Sequence, residues 1–439
     1  MQRRLNRNGL RRSGLFLVLL LFVGCQTEAP PADLRLRWFN LAHLNHLYQE
    51  VTMDGAEMAI VHIYSEYPDY GWVDAGDEGI ACVDDAARAA VVYLRHFELS
   101  ADSTSLLRAR KLLDFCRHMQ AEDGQFYNFI FADHSINRTG RTSHKSFGWW
   151  AARAVWALGE GFRVFRNQDA AYAAILEQHI QKTFVHLDTM LVHYHEIAVV
   201  EGFDVPHWLL YNSAADATSE LVLGLAAYSE ASGDARARQF VQKFAEGLMA
   251  MQITDDHGFP YYLFLSWKNV WHGWGNSQTQ ALAIASKVLD NSEIREAAEK
   301  EALTFYPYWI SNGFPREMIF TRNDSLSVQQ VKAYDQIAYA IRPAVVGCLR
   351  LYDLTRRPRF AEIAGELAAW FFGGNSARQA MYDPETGRCF DGILSPTEIN
   401  LNSGAESTIE ALYSLLEVEV NPIAWKRLQK FLNSQQIIY

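Results

Sequence analysis

A six-fold recurrence constrains this chain more than any other feature. A segment that opens on polar residues and continues as an Ala-rich apolar run starts near Asp84. It returns near Lys145, Asn212, Asn276, Asp335 and Ser403, at intervals of 61, 67, 64, 59 and 68 residues. Within each run, apolar residues recur every three to four positions, which is helical spacing. A short polar turn follows each run (SADS, RNQD, SGDA, DNSE, TRRP, EVNP), and then a second helical pattern. The second helices are predicted at 103–120, 169–187, 235–252, 292–311, 359–372 and 421–434, with a lead-in helix over 34–51.

The two helices of each pair differ in composition. First helices carry small and apolar residues all round, as helices covered on every side must. Second helices, such as RARKLLDFCRHMQ and SEIREAAEKEAL, carry charge along one face. An inner and an outer ring have that signature, and six such hairpins close into an all-α (α/α)6 toroid. Single cores usually stop growing near ~250–300 residues, and repeating architectures are the exception. No Gly/Ser/Pro-rich linker interrupts residues 34–439, so they read as a single domain. Longer connections (EDGQFYNFIFAD, DDHGFPYYLFLSW, DPETGRCFDGIL) each pass from an acidic residue through Gly to an aromatic. They read as short strand-like rim loops at the end where the inner helices begin.

The N-terminus reads as an export signal. Arg3, Arg4, Arg7, Arg11 and Arg12 precede a short apolar run, Leu15 to Val23, then Gly24-Cys25. LFVGC resembles a bacterial lipobox, with Phe22 where Leu is usual. The expectation is a signal peptide over 1–24, lipidation at Cys25 and a polar tether over 25–33. That places the protein on the periplasmic or cell-surface face of a bacterial membrane, held by its lipid anchor. Removing the five arginines, with no Asp or Glu, takes the formal charge from −11 to −16. An acidic body excludes nucleic acid as the natural partner. Cys82, Cys116, Cys348 and Cys389 show no CxxC spacing and read as buried thiols, with a Cys82–Cys116 bridge the alternative. No cofactor, no metal and a monomer are expected.

The six-fold count, the polar inner-helix starts and the aromatic connections resemble the six-hairpin glycosidase superfamily. CVDDAARA and NSGAESTIEAL look like segments of bacterial carbohydrate-processing helical domains. The resemblance spans the whole mature chain but is one of architecture. It implies an active site at the N-terminal ends of the inner helices and a carbohydrate substrate. That superfamily contains hydrolases, lyases and epimerases, so the reaction stays open.

Hydrolysing a glycosidic bond needs two carboxyl groups, one to protonate the leaving oxygen and one to activate water or attack. The inner-helix starts supply Asp84, Asp85, Asp216, Asp335 and Glu406, with Asp74, Asp77 and Glu78 in the loop GWVDAGDEGIACV. Competing readings are structural. Asp84 and Asp335 suit helix N-caps, Glu406 suits a capping box with Ser403, and Asp85 suits a local pair with Arg88. Asp216, inside an Ala/Leu helix, is harder to read that way, and Glu410 can share the bore face. Inversion is the expected outcome, because the superfamily mostly inverts.

Sugar rings stack on aromatics, and their hydroxyls need amides, imidazoles and carboxylates. WKNVWHGWGNSQTQ supplies Trp271, Trp274, Asn276 and Gln278; HKSFGWW supplies His144 and Lys145; HWLLYNSAAD supplies Trp208, Tyr211 and Asn212. Trp72, Tyr334 and Asn402 complete the binding candidates, while Trp149, Trp156 and Trp309 read as core. HYHE (His193, His195, Glu196) has no third ligand by spacing and reads as a loop with satisfied histidines. Two other functions compete with hydrolysis. A lyase would use Tyr334, Tyr211 or His144 as base and Arg342 or Lys145 to neutralise a uronic carboxylate. A non-catalytic glycan-binding lipoprotein would bind without turnover.

Overall fold

The computed structural model describes residues 36–435, so the signal segment, Cys25 and the tether lie outside the described residues. In chain order the helices are α1 (Ala42–Leu47), α2 (Val83–Ser100), α3 (Ser103–His118), α4 (Trp149–Gln168), α5 (Ala170–Lys182), α6 (Phe184–Leu191), α7 (Ala215–Ser232), α8 (Ala235–Ala250), α9 (Gln278–Leu289), α10 (Ser292–Ser311), α11 (Ala338–Thr355), α12 (Pro358–Ala368), α13 (Ala405–Glu419) and α14 (Pro422–Ser434). Helices α2, α4, α7, α9, α11 and α13 form the inner ring. Each packs on the next and α13 packs back on α2, while α3, α5, α8, α10, α12 and α14 each cover their own inner partner. The result is the (α/α)6 toroid.

The helix starts explain the hairpin turns. Five outer helices are N-capped by an Asp or Asn of the preceding turn: Asp102, Asp169, Asp234, Asn291 and Asn421 each accept backbone N–H bonds. The sixth, α12, begins instead on Pro358, whose missing N–H costs nothing in a first turn. No inner helix has a side-chain cap. The polar residues that mark the inner-helix starts are therefore not caps, and Asp84, Asp335 and Glu406 have other partners.

Inner helices α4 and α7 approach at two glycines. A Cβ on Gly159 would stand 2.2 Å from the Gly224 carbonyl oxygen, and one on Gly224 would stand 2.3 Å from that of Val155. Every residue from Ala215 to Ser229 of α7 is buried, as a doubly covered helix requires.

Three sequence expectations are corrected. The lead-in helix shrinks to α1, and the chain then forms an antiparallel hairpin of strands Tyr48–Met53 and Ala56–Val61. Its turn is Asp54-Gly55, both at positive φ (50° and 79°), the favoured Asp-Gly hairpin turn. The second outer helix breaks at Thr183, whose hydroxyl bonds back to the Ile180 carbonyl, so α5 gives way to α6. A three-stranded antiparallel sheet, 270–272, 317–322 and 326–332, extends the rim before α11. The other rim connections are the short two-stranded ribbons expected. Cys82, Cys116, Cys348 and Cys389 are buried thiols. Among the described residues no helix is long and apolar enough to cross a membrane.

Candidate active site

Two adjoining chambers open where the inner helices begin, with volumes of about 350 and 530 Å³. Glu78, Asp84, Phe129, Arg153, Ile337 and Glu406 line both. The first adds Tyr64, Asp85, Arg88, Asp391 and Ser407, and the second adds Trp149, Trp274, Arg316, Asp335 and Tyr339.

Beneath the chambers the bore is filled by a continuous ionic lattice. Arg88 of α2 donates from Nη2 to Asp85 Oδ1 (2.7 Å) and from Nη1 to Glu410 Oε1 (3.0 Å), and both nitrogens reach Glu406 Oε2 at 3.2 Å. Arg342 of α11 donates to Glu410 (2.6 Å), Glu220 (3.1 Å) and Gln280 (2.9 Å). Arg153 of α4 meets Glu220 at 3.0 Å and Asp84 at 2.7 Å, and donates to the Tyr339 hydroxyl at 2.7 Å. That hydroxyl donates onward to Glu220 at 2.7 Å. Buried charges are tolerable only when so densely paired, because removing one partner strands another in a low dielectric.

The lattice tunes its acids unequally. Burial pushes the Asp85 carboxyl up to about 6; Arg88 opposes the shift, while Glu406 and Asp84 add to it. Burial also raises Asp391, whose Oδ1 accepts from the Ser407 hydroxyl (2.6 Å) and the Gly404 N–H (2.8 Å). Glu410 is raised by burial against the pull of Arg342 and Arg88. Among the carboxylates bonded to the lattice arginines, Glu406 is the most exposed, its side chain 42 % open.

Solved structures share this arrangement of helices. Cellobiose 2-epimerase from Bacillus thermoamylovorans superposes with a TM-score of 0.59 at 11 % identity, over 87 % of this chain and 95 % of that one. A family 76 glycoside hydrolase from a bovine Bacteroides thetaiotaomicron strain gives 0.57 at 12 %, over 88 % and 78 %. A D-mannose isomerase gives 0.55 at 11 %, over 81 % and 90 %. The chain shares the (α/α)6 toroid fold of these proteins. At these identities the likeness is one of fold. No family model matches the chain, and no curated protein matches it by sequence.

The six-hairpin geometry sorts the sequence candidates. Asp84, Asp85 and Glu406 line the chambers together, and Asp335 stands at the rim, 56 % exposed and 3.9 Å from Arg316. Asp85 does pair with Arg88, as its structural reading held, yet it also lines the first chamber. Glu406 makes no capping box with Ser403, because Gly404 is the N-cap residue and the carboxylate goes to Arg88. Asp216 lines neither chamber: it is buried against His272, Oδ2 to Nε2 2.9 Å.

Of the binding candidates, Trp274 lines the second chamber. Trp149 lines it too, so the expectation that Trp149 is core is corrected, while Trp156 and Trp309 are buried as expected. Tyr211 supports Trp149 by accepting its backbone N–H at 3.0 Å, and exposed Asn212 follows it at positive φ. Trp208 and Trp271 are core: Trp208 donates to the Lys243 carbonyl, and Trp271 packs edge-on to Phe305 and Trp309. Gln278 is buried, bonded to the Leu265 carbonyl and to the side chain of Asn276. Lys145 pairs with Asp123, and His144 is exposed beside Trp150. Trp72 lies flat on His62 at 3.8 Å and lines neither chamber. The Tyr334 carbonyl accepts from Arg316, and the Asn402 side chain accepts from the Tyr67 N–H. In HYHE, His193 bonds Glu196 at 2.8 Å.

Sequence reasoning missed Arg153, Glu220, Tyr339 and Asp391. The first three carry a readable signal: a polar or charged group inside an inner helix that is otherwise apolar all round must find partners across the bore. Asp391 lies in a rim loop and carries no such mark.

Proposed function

We propose that the protein is a carbohydrate-active enzyme that hydrolyses glycosidic bonds at the inner-ring mouth. The observation that carries this reading is the cluster of carboxyls there, of which Asp85 holds its proton up to about 6 beside the open Glu406. A carboxyl with raised proton affinity suits the general acid. Glu406, steadied by Arg88, suits the second carboxylate. One guanidinium nitrogen holds both, at 2.7 and 3.2 Å, which bounds the two bonded oxygens to within 5.9 Å of each other. Inverting enzymes separate their carboxyls by roughly 6.5–9.5 Å and retaining ones by about 5–5.5 Å. The bonded oxygens of this pair lie closer than the inverting spacing, and we take retention as the outcome to test in place of the inversion expected from the superfamily.

The two cations that the lyase reading named, Arg342 and Lys145, line neither chamber. Arg342 is fully buried with its donors engaged, and Lys145 is spent on Asp123 at the surface. Cys25 remains the proposed anchor, testable by radiolabelled palmitate incorporation into the wild-type chain and not into C25A.

The deciding experiment incubates the purified mature domain with a panel of plant, algal and microbial glycans and reads products by mass and anomer by NMR. Saturated products of retained configuration are expected, with kcat/KM falling above about pH 6 as Asp85 ionises. D85N should lower kcat by about 10²–10⁴-fold, the usual worth of a general acid. A product isomeric with its substrate would replace hydrolysis by epimerisation. Binding without any product would leave a glycan-binding protein.

A further inference from the structure

Asp216 and His272 form a buried unit without a role in the carboxyl chemistry above. Asp216 sits in the first turn of α7, 3 % exposed, and its Oδ2 lies 2.9 Å from His272 Nε2. His272 ends the strand Val270–His272 and is 2 % exposed. Its Nδ1 has no hydrogen-bond partner among the described residues. A buried polar ring so sparsely bonded is unusual in a folded core. What the ring does instead is stack flat on Trp274, with centroids 3.6 Å apart and planes 11° apart.

Trp274 is the wall of the second chamber. His272 covers one face of this indole, and Trp149 lines the same chamber beside it. Trp149 meets it at 6.0 Å and 43°, so the two indoles form an open corner. Trp149 is fixed in turn by Tyr211, which accepts its N–H, and by the Arg153 guanidinium 4.9 Å over its ring.

We propose that this corner is a pyranose-stacking subsite, and that Asp216 and His272 are positioning residues that hold Trp274 in place for it. Asp216 fixes the imidazole, and the imidazole backs the indole. A rigid aromatic wall costs no ordering on binding. The sugar in the corner rests on the carbohydrate reading above. The positioning itself does not, and the test separates them.

The experiment is ¹⁹F NMR of the full mature chain labelled with 5-fluorotryptophan, with W274F and W149F assigning their two signals among the twelve tryptophans. In D216A the Trp274 signal is expected to shift and broaden while those of tryptophans outside the corner stay in place; D216N, whose amide still bonds the imidazole, restores it. H272Q, which loses the flat ring, should reproduce the D216A spectrum and stands in if D216A does not fold. Methyl β-D-glucopyranoside and methyl α-D-mannopyranoside are then titrated into the wild type. A Trp274 shift with at least one of them, weakened about tenfold or more in D216A or H272Q, supports the subsite. An unmoved Trp274 signal in the variants overturns the positioning role, whatever the enzyme hydrolyses. A moved signal with no response to either pyranoside overturns the subsite. Hydrolysis of glycans by the intact chain is read separately and can fail without either result.

Discussion

Glu301 shows how one side chain can carry the pH dependence of stability. It is buried on α10 and accepts from the Phe264 N–H (2.8 Å), the Thr279 hydroxyl (2.6 Å) and the Tyr306 hydroxyl (3.1 Å). Burial pushes its carboxyl from 4.5 up to about 7. The folded state thus binds this proton more tightly than the unfolded chain does, so the stability that Glu301 contributes is fully present below about 4.5 and is lost as pH rises towards 7. The loss at neutral pH is at most about 3 kcal/mol for a shift of this size. In urea melts from pH 4.5 to 7.5, E301Q should lack this slope and gain on the wild type steadily as pH rises. A constant difference between the two would show that another group carries the dependence. The same scale explains what the sequence disclosed of the site. Asp84, Asp85 and Glu406 stand at the starts of apolar runs, where polarity is conspicuous. Arg88, Arg153, Arg342, Glu220 and Glu410 lie inside those runs, and only the closed ring shows that they meet.

At the scale of elements, the helix pairs were legible because periodicity and turn chemistry agree. The polar turns before α3, α5, α8, α10 and α14 carry the caps that start them. The lead-in was misread because apolar spacing over 34–51 outweighed the Asp54-Gly55 turn signal just beyond it. The break at Thr183 and the sheet at 317–332 depend on tertiary neighbours that no local pattern encodes. Among the inner helices, the α4–α7 contact is the tightest constraint, because each glycine faces backbone and not a movable side chain. Gly to Ala within a helix usually stabilises by roughly 0.5–1 kcal/mol. Here the sign reverses: G159A and G224A should each cost about 1–3 kcal/mol, the ordinary penalty of overpacking. Thermal melts would show it, and a stabilised G224A would mean that the two helices can move apart.

For the whole molecule, the last hairpin closes on the first where α13 meets α2, and it is tied as well to the lead-in segment. The Glu419 carboxylate at the end of α13 accepts the backbone N–H groups of Arg37, Trp38 and Phe39 at 2.6, 2.7 and 2.8 Å. Trp38 then packs edge-on against Trp425 of α14. E419A removes all three bonds and should lower stability by about 1–3 kcal/mol, since bonds to a charged acceptor exceed neutral ones. Hydrogen exchange would localise the loosening to residues 36–41 and α14. Loosening spread evenly over all six hairpins would instead mean that the ring opens as one unit.

That closure makes the inner ring a cyclic word with no first letter. Helix α13 touches α2 as α2 touches α4, so the lattice of Arg88, Arg153, Arg342, Glu220 and Glu410 is indifferent to where the peptide is cut. A circular permutant opened in the SGDA turn between α7 and α8, with residue 435 linked to residue 36, would write the hairpins in a different order and rebuild the same mouth. Recovery of the same lattice in that permutant would separate the order of folding from the geometry of the mouth.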